Sequence, residues 1–274
     1  MDKRPILFLD SGIGGIPYCR HFYQRNSTET IYYLADREHF PYGTREREEL
    51  AALLTATMKK IVKTVNPKIA VLACNTATVS ALAELRHCFP ELPFVGTVPA
   101  VKPAMLAGKT GKVGVLGTER TVKDPYIREL ANSCGNADAS GGEIFCVAAP
   151  ELVEFVERRI MTADENEKKE MAKKYIGLFR AAGAGTVVLG CTHFLFLLEE
   201  FRREAEPLIK VFDSMDGITH RIESLLDDND HALRSENNEP GQNRLLLTGA
   251  DKPEASWQSL ADQLGFGLSL LDKI

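Results

Sequence analysis

Short apolar runs alternate with longer stretches in which apolar positions recur every three or four residues, along nearly the whole chain. The first run, Ile6 to Leu9, predicts a strand. The turn Ser11-Gly12-Ile13-Gly14-Gly15 follows, and then a helix over 17–24. A second strand, 30–35, ends at Asp36. The stretch 46–65 has apolar residues at 50, 53, 54, 58, 61, 62 and 65, which is one face of a helix, and Asn66-Pro67 stops it. Strand 69–73, helix 77–87 and a short strand 93–95 come next. Pro99 and Pro103 flank a crossing into a second half, which opens with strand 112–116 much as Ile6 to Leu9 opened the first. Strand 144–147, helices 150–159 and 165–182, a strand from Gly185, and strand 209–212 continue the alternation. Helix 215–226 leads into a polar stretch, 227–243, whose lack of periodicity predicts a mobile surface loop. Strand 244–248 and helix 253–265 end the pattern.

Such alternation implies an α/β chain with mostly parallel sheets covered by helices. Sites in such sheets lie at the carboxyl ends of strands. Asp10, Ser11, Asp36, Cys74, Thr118, Cys191 and Asp213 all fall there. Two of the strand ends also resemble one another. Lys68-Ile-Ala-Val-Leu-Ala-Cys74-Asn75-Thr76 and Gly185-Thr-Val-Val-Leu-Gly-Cys191-Thr192-His193 are both apolar strands that end in a thiol and small polar residues. Each runs into a helical pattern, 77–86 and 194–203. The cysteines are about 120 residues apart, the size of a small α/β domain. A duplicated fold with one thiol at the same strand end of each half suits a reaction that removes a proton from one face of a carbon and delivers one to the other.

Composition narrows the alternatives. With 33 basic against 38 acidic residues and no basic run, a nucleic-acid partner has no electrostatic support. No stretch approaches the roughly 18 apolar residues of a membrane span. Only four apolar residues separate Met1-Asp-Lys-Arg-Pro from Asp10, so no secretory leader is read and the expected location is cytoplasmic. In that compartment the six scattered cysteines are thiols rather than disulfides, and without close Cys or His pairs no metal site is expected.

Cys19, Cys88, Cys134 and Cys146 read as small hydrophobes. Cys74 and Cys191 differ because a helix N-terminus lowers a thiol's pKa from about 8.5. His193, two residues past Cys191, can tune that thiol's proton, although a lone His is more often a structural hydrogen-bonder. Asp10 is the corresponding helper for Cys74, against the plain reading of a helix cap. The glycine turn followed by Asp36 invites a dinucleotide-binding reading, but Pro17 stands where the third glycine belongs. The turn's backbone N–H groups can instead hold a substrate carboxylate. Ser80 and Leu197 stand where a cysteine phosphatase loop needs Arg.

Taken together, Phe8-Leu-Asp10-Ser11-Gly-Ile-Gly-Gly15, Pro41-Tyr42-Gly43-Thr44, Ala73-Cys74-Asn75-Thr76-Ala77, Gly117-Thr118 and Leu189-Gly-Cys191-Thr192-His193 give a chain that resembles the cofactor-independent glutamate racemases of the aspartate/glutamate racemase superfamily. The resemblance implies two pseudo-symmetric three-layer α/β domains, 1–97 plus 210–274 and 98–209, with the active site in the cleft between them. It implies that Cys74 and Cys191 exchange the roles of thiolate base and thiol acid, Cys74 acting on D-glutamate and Cys191 on L-glutamate. Asp10 would assist Cys74, and His193 with Glu157 would assist Cys191. Asp10, Ser11, Tyr42, Gly43, Asn75, Thr76, Thr118, Thr192 and His193 would surround the substrate. No cofactor is implied, the partner is glutamate itself, the product D-glutamate would serve peptidoglycan synthesis, and a homodimer is left open. Thr97-Val98-Pro99-Ala100 and Ala149-Pro150 depart from the acidic Val-Ile-Glu-Pro and Cys-Pro phrases of many members. The rival readings are an aspartate or other amino-acid racemase of the superfamily, a non-catalytic binding protein, and a dinucleotide-dependent oxidoreductase. A superfamily decarboxylase needs one thiol, so the pair favours racemisation.

Overall fold

Two all-parallel sheets organise the computed structural model, which describes residues 2–107, 112–125, 127, 129, 143–228, 233–235, 241–249 and 251–273. The chain divides into one unit of residues 1–97 with 215–274 and a second of residues 98–214.

The first unit begins β1 (Ile6–Asp10), α1 (Ile16–Arg25), β2 (Ile31–Ala35), α2 (Arg47–Thr64), β3 (Ile69–Leu72), α3 (Asn75–Cys88) and β4 (Phe94–Gly96). Its strands are apolar runs rather than alternating ones because helices cover both faces. Leu7, Leu9, Leu34, Ala70 and Leu72 pack against Leu50, Leu54, Met58 and Ile61 of α2 and Ala77, Ala81 and Leu85 of α3. On the opposite face, Phe8 meets Phe22 of α1 with ring centroids 5.9 Å apart.

The second unit holds α4 (Val101–Ala107), β5 (Lys112–Gly117), α5 (Glu119–Lys123), β6 (Glu143–Ala148), α6 (Pro150–Arg159), α7 (Glu165–Ala181), β7 (Thr186–Leu189), α8 (Leu198–Ala205) and β8 (Lys210–Phe212). Val101 and Ala104 of α4 pack on Val113, Val115 and Val188. The other face carries α7. A Cβ on Gly114 of β5 would lie 2.4 Å from the Phe179 ring, so only glycine lets α7 approach this closely. The chain then returns to the first unit with α9 (Met215–Leu226), β9 (Arg244–Leu247), α10 (Ala255–Leu264) and β10 (Gly267–Leu270).

The strand orders expose the repeat. The first sheet runs β10-β9-β2-β1-β3-β4 and the second β6-β5-β7-β8. The pattern β2-β1-β3-β4 is therefore repeated, with β9 and β10 added beyond β2. In each unit the cysteine strand pairs with the strand that opens the unit, β3 with β1 and β7 with β5.

Several sequence expectations need correction. The strand at 210–212, assigned from sequence to the first domain, pairs with β7, so the second unit extends to residue 214. Three of these elements escaped the sequence reading: α4, β10, and the short α5, which Thr118 caps by accepting from the Thr121 N–H. The helix expected over 194–203 is instead a 3-10 segment, Thr192–Leu197, followed by α8.

The polar stretch 227–243 is not wholly a free surface loop. Lys68 and Glu29 form an ion pair of 2.6 Å with both side chains fully buried. Two charges so placed need every hydrogen-bonding position filled, and the returning chain fills two: Lys68 donates to the Leu233 carbonyl and the Ser235 N–H donates to Glu29. Beside them, the Asn243 side-chain oxygen accepts from the Ile31 N–H. Residues 229–232 and 236–240 of that stretch lie outside the described residues. Among the described residues, no helix is long and apolar enough to cross a membrane.

Candidate active site

In both units a thiol follows directly from an apolar parallel strand. The Ala73 N–H donates to the Leu9 carbonyl at 2.8 Å, which extends the β3–β1 ladder to the residue before Cys74. The Gly190 N–H likewise donates to Leu116 at 2.7 Å, just before Cys191. Both cysteines are extended, with φ −143° and ψ 121° at Cys74 and φ −138° and ψ 137° at Cys191, and both are buried. The Cys74 carbonyl accepts from the Thr78 N–H four residues on and starts an α-helix. The Cys191 carbonyl accepts from the Phe194 N–H three residues on and starts a 3-10 turn.

Around Cys74 the first unit gathers Asp10, Ser11, Asn75 and Thr76, all buried. Asp10 ends β1 beside the end of β3. Its carboxylate accepts from the Gly12 N–H at 2.9 Å and from the Ser11 hydroxyl at 3.3 Å, closing the turn onto the acid. Tyr42 is buried too, with its hydroxyl donating to Asp36 at 2.6 Å. Burial, then the neighbouring carboxylate of Asp36 and the hydrogen bond to it, hold this phenol well above its usual 10, and the charges of Cys74 and Asp10 add to the effect. Tyr42 therefore stays protonated.

Asp36 is the hub that the sequence reading missed in this role. Besides Tyr42, it accepts from His39 Nδ1 at 2.9 Å and from the Thr248 hydroxyl at 2.7 Å. Its place at a strand end just before Pro41-Tyr42-Gly43-Thr44 was visible in the sequence. Its partner 212 residues away was not.

Around Cys191 the second unit gathers Thr192, His193, Glu157 and Thr118. The Cys191 sulfur lies 3.6 Å from His193 Nδ1, and His193 Nε2 lies 2.6 Å from Glu157 Oε1 on α6. Burial opposes charge on this enclosed ring. The hydrogen bonds to Cys191 and Glu157, together with their negative charges, outweigh it and hold His193 well above its ordinary 6.5. The imidazolium can then donate through both nitrogens, to sulfur and to carboxylate. Thr118 sits at the end of β5, its hydroxyl 2.9 Å from that of Thr121. Asp213, the remaining strand-end acid, is instead held by Arg202 at 3.1 Å.

Each unit thus carries a buried thiol near a group that can exchange protons, a strand-end carboxylate in the first and an imidazole in the second, and such groups serve general acid–base chemistry. Residues 21–220 match the Asp/Glu/hydantoin racemase family. The chain belongs to that family and is an isomerase of the amino-acid racemase kind. It is 38% identical to a glutamate racemase of Sphingopyxis alaskensis over 226 residues, covering 81% of this chain and 82% of that one. To a glutamate racemase of Brucella canis it is 36% identical over 269 residues, covering 97% and 93%. Among solved structures, the Escherichia coli glutamate racemase in complex with L-glutamate and its activator UDP-MurNAc-Ala superposes with a TM-score of 0.82 at 27% identity, covering 97% of each chain.

Proposed function

We propose that this chain interconverts L- and D-glutamate without a cofactor, using Cys74 and Cys191 on opposite faces of one α-carbon. The observation that carries the reading is the repetition of an extended, buried cysteine at the ends of β3 and β7, each with its own set of helpers. With D-glutamate, the Cys74 thiolate removes the α-proton and the Cys191 thiol delivers one to the other face. With L-glutamate the roles reverse. The α-proton is weakly acidic and no electron sink of the pyridoxal kind is invoked. The barrier is lowered by placing the thiolate against the proton, by excluding water, and by hydrogen bonds to the carboxylate where charge develops. Asn75, Thr76, Thr118, Thr192 and the backbone at Ser11 and Gly43 are suited to that last task.

His193, charged and anchored by Glu157, stabilises the Cys191 thiolate. Asp10 assists Cys74. The substrate assignment rests on the glutamate racemases among the relatives, and the product D-glutamate fits supply of peptidoglycan precursors. Circular dichroism of D- and L-glutamate with the purified protein, with aspartate assayed beside them and no cofactor added, tests the reading. Loss of optical activity from either glutamate enantiomer is expected. Full activity on aspartate with none on glutamate would overturn the substrate.

A further inference from the structure

We infer that Tyr33 is a positioning residue for the Cys74 half of the reaction, holding Asp10 and the glycine turn in register with that thiol. The inference rests on the functional reading above and deepens it. Tyr33 lies in β2, between β1 and β9, and is fully buried. Its hydroxyl bridges the turn, donating to the Gly12 carbonyl at 2.8 Å and accepting from the Gly15 N–H at 3.1 Å. The other end of the Gly12 residue, its N–H, holds the Asp10 carboxylate at 2.9 Å. One phenol therefore reaches the acid through a single residue. The far end of the turn meets the thiol strand directly. A Cβ on Gly15 would lie 2.6 Å from Ala73 Cβ, 2.9 Å from the Ala73 carbonyl oxygen and 3.1 Å from the Tyr33 hydroxyl. Ala73 is the residue before Cys74. The Tyr33 hydroxyl thus pins both ends of a turn lying between the proposed helper and the proposed base.

Removing that oxygen leaves a buried carbonyl and a buried N–H without this partner, and the turn can recover their hydrogen bonds only by shifting. A shift there changes the spacing between Asp10 and Cys74, and misplacement of this kind is costly to catalysis. It leaves Cys191, His193 and Glu157, which belong to the other unit, untouched. Any loss of carboxylate binding at Ser11 is common to both enantiomers, so the excess loss on the D form reports the Asp10–Cys74 spacing, and a merely structural defect would not produce that excess.

The test uses the full-length protein and a glutamate analogue bearing a β-leaving group, whose elimination needs only one base. Tyr33→Phe should lower turnover of the D form about tenfold or more while the L form falls less than about threefold, with the melting temperature nearly unchanged. Gly15→Ala, which forces the turn away from Ala73, should show the same bias and guards against a folding defect peculiar to the first variant. Equal losses on both enantiomers, or a parental D-to-L ratio in both variants, overturn the positioning role while the parent's racemisation stands. A parent protein inert toward both enantiomers overturns the functional reading and this inference with it.

Discussion

Cys74 and Cys191 stand at corresponding points of two repeated sheets, yet the chemistry around them is not repeated. The first cysteine occupies the N-cap position of a 14-residue α-helix and has a carboxylate, Asp10, at the end of the adjacent strand. The second begins a 3-10 turn and has an imidazole two residues on, backed by a carboxylate from α6. The backbone repeat fixes where the thiols sit, and the side chains decide how each holds or releases a proton. On the proposed mechanism, a carboxylate beside Cys74 would take the proton from that thiol and an imidazolium beside Cys191 would favour the thiolate directly, so that two mirror-image half-reactions would be matched in rate by unlike means.

The largest effect expected is at the thiols. Cys74→Ser and Cys191→Ser should each lower racemisation at least about 100-fold, the lower range for a lost general acid or base. Either variant racemising at the parental rate would break the comparison. The helpers should matter less and in opposite senses. Asp10→Asn should slow elimination from the D form of a β-substituted analogue, and His193→Asn from the L form, each by about 10- to 100-fold with the other enantiomer less affected. Loss of the same enantiomer in both would show that the helpers are not divided between the thiols.

The His193–Glu157 contact can be read in stability. Because folding raises the His193 pKa above 6.5, its contribution is fully present below that value and is lost as pH rises through the folded-state pKa. Glu157→Gln, which replaces a charged acceptor with a neutral one, should therefore cost about 1.5–3 kcal/mol near pH 6, with the deficit shrinking on the alkaline side. Thermal melts of parent and variant across that range check this, and a deficit that grows with pH would contradict it. The smallest effect should come from replacing residues 236–240 with a flexible polar linker, which leaves Leu233, Ser235 and Asn243 in place. Turnover within about threefold is expected, because the change spares the hydrogen-bonding residues on either side of it.

Most of the sheet framework was legible because parallel strands covered on both faces must be continuous apolar runs, and Ile6–Leu9 and Ile69–Leu72 are such runs. The thiols were legible because each ends one of them. Features that rest on distant partners were not. Lys210–Phe212 reads as a strand but carries no mark of the sheet it joins, and Gly267–Leu270 is a partly exposed strand that pairs with β9 at the end of the sheet order. Nothing local in 227–243 shows that Leu233 and Ser235 answer a buried ion pair at Lys68 and Glu29. The 3-10 turn after Cys191 also defeats periodicity, because the apolar residues Phe194, Leu195 and Leu197 fit an α-helix equally well.

The division of labour between the thiols is tested most directly by elimination from the two enantiomers of a β-substituted glutamate analogue, measured with Cys74→Ser and Cys191→Ser side by side. Cys74→Ser should retain activity on the L form, where Cys191 is the base, and lose it on the D form. Cys191→Ser should do the reverse. If both variants keep the same enantiomer preference, the two thiols do not serve opposite faces of the substrate and the account is wrong.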